Sequence, residues 1–170
     1  MRKLMTPVFC LALVLAFQGT AWSQTKNEKE SAWLKGAREA APQAVARYGH
    51  IIAAAARRHQ VPKEVLGGVM LVESSGDAKA PGGLMQAGES AKRATGIRCD
   101  TRKPNCSIEV SAAYLKKLRR DYNLDWPRAI LAYNKGPAVA QQTQKPYRHQ
   151  YLKRVVLALA VYNDALINRN

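Results

Sequence analysis

The chain has 170 residues, 47% hydrophobic and 23% charged, enough for one compact domain with a real core. It contains no internal repeat and no low-complexity tract, which excludes repeat and fibrous architectures. Lysine and arginine outnumber the acids 27 to 12, a formal charge of +15, and this balance favours anionic partners by long-range attraction.

Arg2 and Lys3 precede an apolar stretch over residues 7–17, followed by the small-x-small patterns Gly19-Thr20-Ala21 and Ala21-Trp22-Ser23. This is the layout of a secretory signal peptide over residues 1–23, too short for a comfortable membrane span. An uncleaved membrane anchor is the alternative. Cys10 lies inside the apolar stretch and not at its end, so it reads as filler and not as a lipid attachment site. Cleavage removes Arg2 and Lys3 and no acid, which takes the charge from +15 to +13 and leaves residues 24–170 as the folded domain. No other stretch is apolar enough to span a membrane. The expected location is the periplasm. Export, with no nucleic-acid motif in the chain, argues against nucleic acid as the anionic partner.

Residues 24–34 are polar and read as loosely ordered. From about residue 31 to 59 the pattern is Ala-rich and helical, and Pro42 is expected to open a second helix there. Its apolar stripe is Ala44, Val45, Tyr48, Ile52, Ala55 and Ala56. A further helix begins near Pro62 and is expected to be capped by Gly76. On it Leu66, Val69, Met70 and Glu73 share one face, because three- and four-residue spacings stack side chains.

Glu73 is the informative residue of that helix. It ends the run Val65-Leu66-Gly67-Gly68-Val69-Met70-Leu71-Val72, so it projects from an apolar face near the helix end. An acid is seldom buried without compensation, and desolvation raises a carboxyl pKa towards the range of a useful proton donor near neutral pH. The alternative is a carboxylate simply exposed at the last turn.

Residues 76–106 hold most of the Gly, Pro and Asp punctuation and read as loop, with a short helix near residues 90–94. Cys99 and Cys106 bracket the turn-rich Asp-Thr-Arg-Lys-Pro-Asn. An even pair across a short loop in an oxidising compartment reads as a disulfide. A metal site needs more ligands, and His50, His59 and His149 are far off in sequence, so no metal is expected. Ser107 is a candidate N-cap for a helix reaching about residue 122, with Ile108, Ala112, Leu115 and Leu118 inward. Trp126-Pro127 opens a short helix that ends in Ala132-Tyr133-Asn134 and is broken by Lys135-Gly136-Pro137. Pro146 opens the last helix, with Leu152, Val155, Val156, Leu159, Tyr162 and Leu166 as its stripe. No segment alternates as a strand does. The expected fold is one all-α domain, with a loop or hairpin region around residues 80–105.

Three short motifs occur in order: Glu73-Ser74-Ser75-Gly76, then Gly83-Leu84-Met85-Gln86, then Ala132-Tyr133-Asn134-Lys135-Gly136. Each alone is weak, but their order and spacing together resemble the catalytic domain of lytic transglycosylases of the soluble (SLT) type, in the goose-lysozyme-like superfamily. The resemblance covers about residues 44–159. It includes Asn105, Tyr114-Leu115 and Tyr151-Leu152. It implies a lysozyme-like all-α domain that cleaves peptidoglycan between N-acetylmuramic acid and N-acetylglucosamine, leaving a 1,6-anhydro sugar and needing no cofactor. By the same resemblance Glu73 is the single catalytic acid and Ser74 packs beside it. Met85 and Gln86 line the glycan groove, Tyr133 and Asn134 form the floor near the reacting sugar, and Tyr151 is a groove tyrosine.

The chain departs from the pattern in three places. Ala87-Gly88-Glu89 replaces an apolar residue, Met and Pro, Lys135 replaces Ala, and Tyr147-Arg148-His149 stands where the family has Glu-Thr before the groove tyrosine. Peptidoglycan, whose stem peptides carry free carboxylates, also suits the basic charge of the chain. Small exported one-domain members of this family often serve conjugation, secretion or pilus machines. Two other readings stay open. One is a hydrolytic muramidase that uses Asp77 or Glu89 to position water. The other is a non-catalytic wall-binding or assembly protein.

Overall fold

The computed structural model describes the backbone of residues 8–169 and the side chains of residues 31–169. The chain falls into two units, Met1–Lys35 and Gly36–Asn170. Regular structure among the described residues is helical throughout, as the all-α reading expects. No described helix is long and apolar enough to cross a membrane. Of the expected signal peptide, residues 1–7 lie outside the described residues, as do the side chains of the rest.

Helix α1 is assigned over Val8–His59. In the first unit it includes residues 24–34, expected to be loosely ordered. That stretch holds no Gly or Pro, and its Gln24, Lys26, Glu28, Lys29, Glu30, Ala32 and Leu34 are all good helix formers. In the second unit Pro42 lies inside the helix and does not open a new one. Proline withdraws one N–H from the ladder. Pro42 and Arg38 both lie on the exposed face, so the carbonyl this releases at Arg38 can be hydrated. The opposite face carries Ala37, Ala41, Ala44, Val45, Ile52 and Ala55 into the core.

Helix α2, Lys63–Ser74, is the buried centre of the second unit, with Val65 through Leu71 all inside. Its neighbour α7, Gln150–Ile167, begins after a 3₁₀ turn over Pro146–Arg148. A Cβ on Gly67 would overlap the Tyr162 ring, and one on Gly68 would press on the Leu159 backbone at 3.1 Å. Glycine inside a helix costs roughly 1 kcal/mol relative to alanine, and here that cost allows α7 to lie directly on α2. Gly67 faces Tyr162, Gly68 faces Val155 and Leu159, and Glu73 faces Tyr151, so the two helices run antiparallel. Leu152, Val155, Ala158, Val161 and Tyr162 are the buried residues of α7. Val156, expected inward, is exposed, and Leu159 and Leu166 are half-buried.

The cap of α2 is Ser75, in the left-handed region at φ 54°, with its N–H on the Leu71 carbonyl. Gly76 follows at φ 79°, where a Cβ would collide with Ala44 of α1. Glycine is thus needed one residue beyond the cap, for close approach as well as for conformation.

Helix α3 covers Glu89–Thr95 and α4 covers Pro104–Arg120. Pro104 occupies the first turn of α4, so that helix starts three residues before the expected cap, and Ser107 is buried inside it. Helix α5, Trp126–Lys135, is capped by Asp125, whose Oδ1 accepts the Arg128 N–H at 2.9 Å. A further short helix, α6 over Pro137–Gln142, lies where only a break is expected. The break occurs at Gly136 (φ 83°), and Pro137 then starts α6, since proline suits a first helical turn. Cys99 and Cys106 are bonded, with their Cα atoms 6.0 Å apart, which ties the 99–103 loop to the first turn of α4.

Candidate active site

Glu73 sits in the last turn of α2, half-buried, with its carboxyl between α2 and α7. The helix explains the position: residues 66, 69, 70 and 73 share one face, and the first three are wholly buried. The Tyr151 phenol donates to Glu73 Oε1 at 2.6 Å. Burial pushes the Glu73 carboxyl above its ordinary value, and the Tyr151 hydrogen bond pulls in the other direction without reversing it. No neighbouring carboxylate is among the causes of that shift. Of the two readings left open by the sequence, the desolvated carboxyl is the one the structure shows.

The Gly83–Gln86 loop is held beside this carboxyl by three side chains from three helices. Ser74 Oγ of α2 donates to the Leu84 carbonyl at 2.7 Å. Ser107 Oγ of α4 accepts the Met85 N–H at 3.0 Å. The Tyr133 phenol of α5 donates to the Met85 carbonyl at 2.7 Å. The phenol has one proton, so the 2.7 Å bond between Ser111 and Tyr133 must run from Ser111 Oγ to the phenol oxygen. The Tyr114 ring lies 6.0 Å from that of Tyr133, tilted by 52°. Both site phenols are held well above their ordinary pKa, chiefly by burial, and the Glu73 charge contributes to each. Glu73, Tyr133 and Tyr151 therefore form one cluster, and both tyrosines act as neutral donors.

The sequence-derived site residues come together here in different capacities. Ser74 and Tyr133 spend their hydroxyls on the loop backbone. Met85 is wholly buried and offers a groove no side-chain surface, only a backbone pinned at both ends. Gln86 sits at φ 50°, an unfavourable region for any residue but glycine, and its Nε2 donates to the Gly83 carbonyl at 2.8 Å. Strain of this kind persists only where surrounding contacts enforce it, and it gathers at functional sites. Asn134 is exposed at the end of α5. Tyr151 is the partner of Glu73.

Asp77 and Glu89, the two carboxylates considered for positioning water, are engaged elsewhere. Asp77 Oδ1 accepts the Lys79 N–H at 2.8 Å, and Glu89 pairs with Lys92 at 2.8 Å on the exposed start of α3. Sequence reasoning missed Ser107 as an acceptor and Ser111 altogether. Both are fully buried polar residues four apart on α4, and that spacing on a face holding Ile108, Ala112 and Leu115 was the available signal.

A family model described as "Transglycosylase SLT domain" matches residues 50–156, which run from the end of α1 into α7 and include Glu73 and Tyr151. The chain belongs to this transglycosylase SLT family. No curated protein matches it. The SLT domain makes the protein a lytic-transglycosylase-type enzyme acting on peptidoglycan. Within that domain, the site offers one protonatable carboxyl on an apolar helix end, a phenol donor to one of its oxygens, and a rigid loop alongside.

Proposed function

We propose that the protein is a periplasmic lytic transglycosylase that cleaves the MurNAc–GlcNAc bond of peptidoglycan and leaves a 1,6-anhydro ring. Glu73 moves the proton at both steps. Its carboxyl first gives a proton to the glycosidic oxygen as the bond from MurNAc C1 breaks, so GlcNAc leaves with a free hydroxyl. The carboxylate then takes the proton of the C6 hydroxyl of the same MurNAc as that oxygen bonds to C1. Glu73 ends protonated, and no water is consumed. The nucleophile belongs to the substrate, so proximity replaces a positioned water or an enzyme nucleophile.

Tyr151 supports both steps. Its phenol occupies Oε1, leaves Oε2 to face the sugar, and stabilises the carboxylate between the two transfers. The carboxamides of Gln86 and Asn134 are suited to sugar hydroxyls and acetamides. Ser74 and Tyr133 serve by holding the loop in place, through the carbonyls of Leu84 and of the buried Met85. The observation that carries this reading is the half-buried Glu73 carboxyl with the Tyr151 phenol on its Oε1 at 2.6 Å, while the two other candidate carboxylates, Asp77 and Glu89, are engaged by the Lys79 N–H and by Lys92. A hydrolase needs a second carboxylate to position water. Export through residues 1–23 would put the enzyme at its substrate, and a small one-domain enzyme suits local wall opening for a conjugation or secretion complex.

Digestion of purified sacculi in ¹⁸O-labelled water tests the mechanism. An unlabelled anhydro product, persisting in Glu89→Gln, is expected. Label at a new reducing end, with no anhydro product, would make the enzyme a muramidase. Binding to sacculi without any released product would favour a non-catalytic wall-binding protein.

A further inference from the structure

Tyr151 is the second residue of α7, in the turn where a helix has no carbonyl of its own for its first N–H groups. Helices α2, α3, α4 and α6 begin without a side-chain cap. Helix α7 has one, and it falls on Tyr151 itself: His149 Nδ1 accepts the Tyr151 N–H at 3.2 Å. An imidazole nitrogen that accepts is bare, so this bond assigns the ring proton to Nε2. Histidine is an uncommon cap, since Ser, Thr, Asp and Asn prevail at that position. It belongs to the Tyr147-Arg148-His149 stretch, where the chain departs from the family pattern.

The backbone beneath the imidazole is fixed. The His149 N–H donates to the Pro146 carbonyl at 2.9 Å, which closes the 3₁₀ turn, and the His149 carbonyl accepts the Lys153 N–H at 3.1 Å, the first bond of α7. Tyr151 is thus held at both ends, its N–H by His149 and its phenol by Glu73. The glycine contact acts further along the helix. It meets α7 at Val155, Leu159 and Tyr162, about one to three turns beyond Tyr151. Buried Leu152 keeps the first turn in the core. Among the described residues, however, His149 Nδ1 is the one acceptor that meets an N–H of the first three residues of α7.

We propose that His149 is a positioning residue: by capping the Tyr151 N–H it fixes the turn that presents the phenol to Glu73. Its effect on turnover rests on the proposed lytic activity; the contact does not. Asparagine and leucine separate the cap from mere bulk. Each places an atom where Nδ1 stands, Oδ1 as an acceptor and Cδ1 as none. His149→Asn should keep kcat on sacculi within about twofold of the wild type, whereas His149→Leu should lower kcat about fivefold with KM unchanged, the scale of a lost N-cap. His149→Leu should also move the decline of activity at high pH to higher pH, since a displaced phenol no longer favours the Glu73 carboxylate. In a Tyr151→Phe background the two substitutions should give the same kcat, because the group they position is gone. Equal losses for Asn and Leu in the wild-type background, or a Leu loss that persists in full beside Tyr151→Phe, would overturn the proposal.

A second measurement needs no turnover. The Glu73 side-chain carboxyl of the full-length protein is titrated by ¹³C NMR. Its midpoint should rise in His149→Leu by on the order of half a pH unit, in the direction of Tyr151→Phe, and stay at the wild-type value in His149→Asn. A midpoint unmoved by His149→Leu refutes the positioning role, whether or not glycan is cleaved. A midpoint that rises in His149→Leu alone, in a protein that cleaves no glycan, would leave the positioning role standing and overturn the lytic reading instead.

Discussion

Tyr151→Phe removes one hydroxyl and keeps the ring that packs beside α2. The lost bond is the 2.6 Å contact from the phenol to Glu73 Oε1, which favours the ionised carboxyl. Without it the carboxylate is less stable, so the Glu73 pKa must rise further above its already raised value. A hydrogen bond to a charged group contributes about 1.5–3 kcal/mol. If all of that appears in the transition state for proton transfer, kcat/KM falls about ten- to a hundredfold. The sign of the pH effect is specific. The first step needs protonated Glu73, so wild-type activity declines as pH rises through the Glu73 pKa, and the variant's decline must lie at higher pH. The assay is the rate of soluble muropeptide release from sacculi across pH 4–9, read together with thermal melts that certify folding. A basic limb that stays in place or moves to lower pH would refute the assignment of Tyr151 as the group that tunes Glu73.

Glu73→Gln should lower the muropeptide release rate by at least ~10²-fold, the usual scale for a general acid. The same variant should melt above the wild type near pH 7. A carboxyl whose folded-state pKa is raised stabilises the fold below its unfolded pKa and loses that contribution as pH rises, so the gap should close in melts taken below the ordinary carboxyl range. Tyr133→Phe strands the Met85 carbonyl and Ser111 Oγ, and chemical denaturation should show a loss of about 1–3 kcal/mol together with looser substrate binding. Gly67→Ala should cost about 1–3 kcal/mol through overlap with Tyr162, whereas Gly36→Ala, which meets nothing within 4 Å, should stabilise by about 0.5–1 kcal/mol; melting curves with the opposite ranking would contradict the packing of α2 on α7.

The sequence by itself determined what depends on local spacing. The 3.6-residue period places Leu66, Val69 and Met70 inside and brings Glu73 to the end of their face. Proline and glycine mark where α5 starts and stops, and two cysteines across a short loop specify their own bond. Periodicity tells which face is buried but not what it meets. Tertiary structure decided that the Glu73 partner is Tyr151, 78 residues away, because only the Gly67–Gly68 contact with α7 brings the two together. It turned Ser107 from a cap into a buried acceptor, since Pro104 had already supplied a first turn that needs no N–H there. It kept α1 helical through Pro42, because that residue lies on the solvent side while the alanine stripe opposite is held by the core. Met85 reads from its motif as part of a groove, yet packing buries the side chain completely and leaves its two backbone groups to Ser107 and Tyr133. Buried polar groups must find partners, and which partners are within reach is settled only when the helices have packed.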